Sequence, residues 1–175
     1  MRYVALLRGI NVGGNTMVKM DELRTMFESL GFKNVKSYIN SGNLAFDSKK
    51  ANEANLSAKI EVAVEKHVAK PVLVMVRVQQ DIERILANNP FEGKYKTHKE
   101  MHVLFLKKEM ANDDRHRLME AGGDNERYEV DGREIYCHLP MGVADSLVGK
   151  GFIEKKLKTV ATGRNWRTVE KLAVL

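Results

Sequence analysis

The stretch that decides the fold is YVALLRGINVGGN, residues 3–15. Val4, Ala5, Leu6 and Leu7 form a continuous apolar run with no polar alternation, the signature of a strand buried on both faces. Such a strand sits at the centre of a small domain. It stops at Arg8-Gly9 and gives way to a loop carrying Gly13 and Gly14, whose lack of a Cβ permits positive φ or close approach by a ligand. A helix is predicted from Met20. Strand, glycine loop and helix is the order in which backbone N–H groups face an anion. The spacing matches neither G-x-G-x-x-G nor G-x-x-x-x-G-K-S/T. The glycines therefore serve either a tight turn or a ligand cradle.

Outward from this strand, Met20, Leu23, Met26, Phe27 and Leu30 share one helical face, with Asp21 and Glu22 in the first turn and Gly31 as the stop. Residues 35–40 and 44–47 read as two strands around the turn Ser41-Gly42-Asn43. Asn52 caps a second helix carrying Leu56, Ile60, Ala63, Val64, His67 and Val68, which Pro71 terminates. A buried strand over 72–78 and a short helix over 81–87 follow. The order β-α-β-β-α-β is that of a ferredoxin-like unit.

The polar, aperiodic segment 93–99 is the expected linker, giving halves at 1–92 and 100–175. The second half repeats the order more loosely. It has a strand over 101–106, a helix over 113–121, and a hairpin of 126–130 with 133–139 across Asp131-Gly132. A helix opens at Ser146 and carries Leu147, Ile153 and Leu157, although Gly149 and Gly151 weaken it. A strand over 159–162 and a final helix over 165–175 complete the chain. No residue-level repeat joins the halves. The fold class is α+β: two ferredoxin-like halves with antiparallel sheets and a C-terminal helix.

Composition narrows the function classes only modestly. The chain has 175 residues, 43% hydrophobic and 30% charged, as for an ordinary folded protein of one large or two small domains. A net charge of +6 permits anionic partners but forms no long basic run. Cys137, the sole cysteine, excludes an internal disulfide and reads as a small core residue. No apolar run reaches membrane-spanning length and the N-terminus lacks a signal-peptide pattern, so the expected place is the cytoplasm, with no membrane partner.

Three segments, LLRGINVGG (6–14), LGFKNV (30–35) with SGN (41–43), and TGRNWRTVEKLAVL (162–175), together resemble the bacterial domain-of-unknown-function family 1697. The resemblance implies two small α/β halves of ferredoxin-like kind and supplies no catalytic residues. The family pattern more often carries alanine where Gly163 stands, a change expected to loosen a turn before Arg164.

These motifs are rich in donors and poor in acids. The candidate ligand-binding residues are Arg8, Asn11, Gly13, Gly14, Ser41, Gly42, Asn43, Arg164, Asn165 and Trp166. An arginine fork suits phosphate or carboxylate. Asn165 or Thr162 serves equally as a helix cap, Trp166 as core, and Ser41-Gly42-Asn43 as a plain turn. The five histidines are scattered and no paired cysteines exist, so no metal or other cofactor is expected. No nucleophile and base can be named. The expected function is binding of an anionic, phosphate-bearing small molecule, with nucleic acid as a second partner class. The alternatives are an enzyme acting on a phosphorylated or acidic metabolite, or a module that self-associates through a sheet edge. The sequence leaves the oligomeric state open. Arg8, Asn11, Ser41 and Asn43 are expected to cluster, with Arg164, Asn165 and Trp166 joining them or else capping their own helix.

Overall fold

A computed structural model describes all of residues 1–175. The chain is α+β, with two four-stranded antiparallel sheets, and it divides into two compact units. One comprises Met1–Leu86 with Glu170–Leu175, the other Ala87–Val169. The division falls at two points, between Leu86 and Ala87 at the end of one helix and between Val169 and Glu170 within the last.

In the first unit the elements are β1 (Arg2–Leu7), α1 (Met20–Ser29), β2 (Lys33–Tyr38), β3 (Asn43–Asp47), α2 (Glu53–Val68), β4 (Val74–Val78) and α3 (Gln79–Ala87), the last ending one residue past it. The sheet order is β2-β3-β1-β4, so β1 is central, as its uninterrupted apolar run requires, and Tyr3 to Leu7 are fully buried. Tyr3, Ala5 and Leu7 pack with Leu23 and Phe27 of α1 and Leu56, Ile60 and Val64 of α2. Phe46 is the hub of this layer, 4.3 Å from the Phe32 ring and 5.5 Å from that of Phe27. Asn52 caps α2 through its side chain, accepting from the Ala54 and Asn55 N–H groups. That helix ends at a left-handed Ala69, two residues before Pro71, because proline disfavours helical backbone in the residue preceding it.

Both edges of this sheet are guarded. On β4, the outward Val74 and Val78 N–H groups donate to Glu61 and Glu53 of α2, each at 2.8 Å. On β2, a register irregularity lies between Lys33 and Lys36, and Asn34 has a φ of 49°. Bulges and lysines are the usual means of denying an edge to a second strand.

The second unit contains β5 (Met101–Leu106), α4 (Asn112–Gly122), β6 (Arg127–Asp131), β7 (Glu134–His138), α5 (Phe152–Lys155), β8 (Ala161–Asn165) and the start of α6 (Trp166–Ala173). Its sheet order, β6-β7-β5-β8, reproduces that of the first. Three expectations are corrected here. The helix expected from Ser146 is a single turn, α5. Gly149 lies so close to the Val143 carbonyl that a Cβ there would stand 2.1 Å from it, and Gly151 has a φ of 79°, so the chain from 143 to 151 is folded into tight turns. The last strand is 161–165 rather than 159–162. Thr162, Gly163 and Arg164 therefore pair with Phe105, Leu104 and Val103, and Gly163 belongs to a strand, not to a turn. The hairpin turns on Gly132-Arg133, with Asp131 opposite Glu134, because a positive φ at the first central residue alone is the II′ pattern.

A residue-level correspondence between the halves does exist, contrary to the sequence reading. In the first sheet Val4 pairs with Arg77, and in the second Val103 pairs with Arg164, at the same register positions. Both arginines are buried, and each donates Nη1 to the carbonyl of its preceding residue, Val76 at 2.9 Å and Gly163 at 2.8 Å.

Two stability predictions follow from this packing. Gly42 has a φ of 76°, and a Cβ there would lie 2.9 Å from the Leu7 Cβ and 3.0 Å from the Leu7 carbonyl oxygen. Gly13 has a φ of 59° with open space around it. Gly42→Ala should therefore cost about 3 kcal/mol or more, combining overpacking with left-handed strain, and Gly13→Ala about 1 kcal/mol. Denaturant unfolding of the two variants measures the difference. The second prediction concerns His102, whose Nδ1 is buried without a hydrogen-bond partner. Burial pushes its imidazole from 6.5 down to about 4. The unfolded chain takes up this proton first, so the contribution is complete above pH 6.5 and is lost as pH falls toward 4. His102→Gln should remove on the order of 1–2 kcal/mol of that acid-side decline, the figure allowing for the partial exposure of the ring.

Candidate functional site

The loop leaving β1 folds against the hairpin turn between β2 and β3. The two are joined by the Leu7 N–H donating to the Gly42 carbonyl at 2.8 Å and by Asn11. Asn11 adopts left-handed backbone, with a φ of 55°. Its carboxamide donates to the Val18 and Asn40 carbonyls, both at 2.8 Å, and accepts from the Val18 N–H at 2.7 Å. Both amide hydrogens are thus committed within the protein.

Asn43 is fully buried and donates to the Tyr38 carbonyl at 3.2 Å and to Ser41 Oγ at 3.0 Å. Gly13 and Gly14, with φ of 59° and 76°, are the central residues of a type I′ turn closed by the Asn15 N–H on the Val12 carbonyl at 3.0 Å. The structure therefore brings Asn11 together with the 39–43 turn. The polar side chains at that junction, Asn11, Ser41 and Asn43, hold the two loops in place. Arg8 follows the end of β1, its N–H donating to the Leu73 carbonyl at 2.9 Å, and its side chain is half-buried.

Beside this junction lies an open groove of about 730 Å³, lined by Asn11, Met17, Val18, Lys19, Met20, Asp21, Glu22 and Asn40. It receives the N-terminus of α1, where Lys19 is the N-cap residue and no side chain caps the first N–H groups. The two carboxylates at this end are engaged elsewhere, Asp21 with Arg24 and Glu22 with His67 at 3.2 Å. Lys19 has no acidic partner. Two features add to the character of this end of the unit. Val12, Met17 and Ile39 expose 57%, 68% and 52% of their surface. Thr16 and Ile39, both β-branched, hold φ of 45° and 50°. Such backbone outliers concentrate at binding and switch regions.

In the second unit, Arg164 is buried and donates to Thr162 Oγ1 and the Gly163 carbonyl, both at 2.8 Å, and burial pushes its guanidinium down to about 10. Asn165 caps α6, its Oδ1 accepting from the Thr168 N–H at 2.9 Å. Trp166 is buried, with its ring centroid 6.4 Å from that of Tyr95. Cys137 is fully buried, and burial raises its thiol well above the usual range, the behaviour of a core residue.

Sequence reading counts Lys19 among the hydrogen-bond donors but leaves it out of the ligand-binding set in favour of the motif glycines and asparagines. It passes over Lys94, Asn125, Arg127 and His138, which line a second-unit pocket of about 390 Å³ with Asp124 and Pro140. The signal for this pocket lay in the hairpin register, since a turn on Gly132-Arg133 sets Arg127 opposite His138. No helix is long and apolar enough to cross a membrane.

Comparison with known proteins adds the family but no activity. None of the curated proteins matches the chain. Among solved structures, it is similar to conserved bacterial protein SP0830 from Streptococcus pneumoniae, at 29% identity and a TM-score of 0.75 over 99% of this chain and 97% of that one. The family described as protein of unknown function (DUF1697) matches residues 1–136, which include the LLRGINVGG and SGN motifs. On that match, spanning most of its length and the whole first sheet, the chain belongs to the DUF1697 family.

Proposed function

We propose that the protein binds a phosphate-bearing small molecule in the first-unit groove between the 8–19 loop and the N-terminus of α1. The observation that carries this reading is Lys19. It is a cation without an acidic partner, placed where the first N–H groups of a ten-residue helix have no side-chain cap. A helix N-terminus and an adjacent ammonium both favour negative charge. The carboxylates of the same turn are already paired, which lowers their opposition to an incoming anion. Met17, Val18 and Met20 supply an apolar wall for the rest of the ligand. The glycine turn and the Asn11 carboxamide act as the support that holds the groove in shape.

The other readings draw less from the geometry. Nucleic-acid binding on a ferredoxin-like sheet needs exposed stacking rings. Of the rings in the first hairpin, Phe46 is fully buried in the aromatic core and Tyr38 is half-buried, and Trp166 is buried as well, which leaves no platform of successive rings. An enzyme built on Arg8, Asn11 and Asn43 would need all three to open on one pocket, and Asn43 has no exposed surface. Association through a first-sheet edge meets the guarded strands β2 and β4. A fully buried, unreactive Cys137 is compatible with a cytoplasmic setting.

The test is site-resolved. Amide spectra titrated with a nucleoside monophosphate should show saturable shifts at Gly13, Gly14 and residues 19–22, and Lys19→Gln should weaken binding by about tenfold, the loss of one charge-assisted contact. Shifts confined elsewhere, or unchanged affinity in the variant, would remove the groove as the site. Anisotropy with short RNA and DNA at two salt concentrations tests the nucleic-acid alternative, which requires binding that weakens steeply with salt.

A further inference from the structure

The second unit holds a pocket that the first-unit reading does not use. Its lining comes from three separate places. Lys94 lies on the turn 91–94, Asp124 and Asn125 on the connection from α4 to β6, and Arg127 and His138 on facing positions of β6 and β7, with Pro140 beyond them. The buried Phe91 ties two of these together, its ring centroid 5.9 Å from that of His138 and 6.0 Å from Lys94 Nζ. The His138 Nε2 is turned toward Glu100, 3.6 Å from a carboxylate oxygen, where it is shut off from solvent and makes no hydrogen bond. Arg127 and Lys94 are exposed and form no ion pair with a carboxylate.

We propose that this pocket is a phosphate-monoester site, in which Arg127 and Lys94 grip the phosphate, and Asn125 and His138 border it. Arg127 presents a planar fork of donors matched to two phosphate oxygens, and Lys94 supplies a movable point charge. With Asp124 in the same lining the pocket keeps a net positive charge that favours an anion, and a phosphate can engage the Arg127 fork and the Lys94 ammonium at once through three oxygens where a carboxylate has only two. A volume of about 390 Å³ accommodates a small phosphorylated metabolite rather than a polymer. Phe91 is a positioning residue, since it contacts the two side chains and not the ligand. The site stands independently of the first-unit groove, because no residue is shared between them.

The experiment is an amide and histidine-ring titration of the whole chain with inorganic phosphate, with acetate as the comparator. Saturable shifts at Lys94, Asn125, Arg127 and His138 are expected for phosphate, with acetate at least about tenfold weaker. Arg127→Gln and Lys94→Gln, both at exposed positions, should each weaken phosphate binding by about tenfold or more while leaving the melting temperature in place. Should one variant fail to fold, the other carries the test. Absence of saturable shifts at these residues, equal binding of acetate and phosphate, or wild-type affinity in a folded variant would each overturn the assignment. Shifts at the first-unit loop alone would overturn it too, without touching the groove.

Discussion

The first unit depends on one close approach, the backbone of Gly42 against the end of β1. No Cβ fits there, because it would press on Leu7 Cβ and its carbonyl. The contact lets the Leu7 N–H reach the Gly42 carbonyl and seats the β2–β3 turn on the central strand. Asn11 then bridges that turn to the start of α1, with one carboxamide serving three backbone groups. Everything at this end of the sheet inherits its position from those bonds, including the direction of α1 and the groove beside Lys19. Backbone groups that must leave water need partners, and here a single side chain supplies several of them.

This division of labour explains why a motif so rich in hydrogen-bonding residues offers so few free donors. Glycine, asparagine and serine are the residues that loops use to satisfy themselves, by positive φ and by side-chain bonds to backbone. Asn11, Asn43 and Asn165 all act in that way. The cations on which the two proposed sites rest lie outside the quoted motifs, Lys19 in the first unit and Arg127 with Lys94 in the second. The contrast also separates Arg164 from Arg127. The former is buried among its own strand's oxygens, and the latter reaches the surface from an outer strand.

The two sheets share strand order and register, so the chain carries one architectural plan twice. The most specific trace of it is the buried arginine opposite Val4 and again opposite Val103. The plan is executed unequally. Between β3 and β4 stands a helix of 16 residues, whereas the corresponding connection in the second unit keeps one helical turn. Gly149 and Gly151 account for the difference, since one sits against carbonyl oxygens and the other takes left-handed backbone. Conserving the sheet while shortening a helix leaves the register of paired backbone groups intact.

How far the sequence alone reached follows from the range of the forces it encodes. The apolar run of residues 4–7 determined a central strand, the periodicity of Leu23 and Phe27 determined a packed helix, and Asn52 determined where α2 begins, because burial, helical spacing and capping are local signals. These sufficed for the element order and the fold class. Strand register was not legible, since a II′ and an I′ turn differ in backbone angles that the letters Asp-Gly do not specify. The Arg127–His138 pair stayed hidden for that reason, and the arginine repeat because it rests on pairings between strands distant in sequence. Nor could residue type alone say which polar groups were already bonded. That Asn11 is committed while Lys19 is not was decided only by tertiary structure, which brings residues 29 positions apart within 2.8 Å and leaves the end of a helix uncapped.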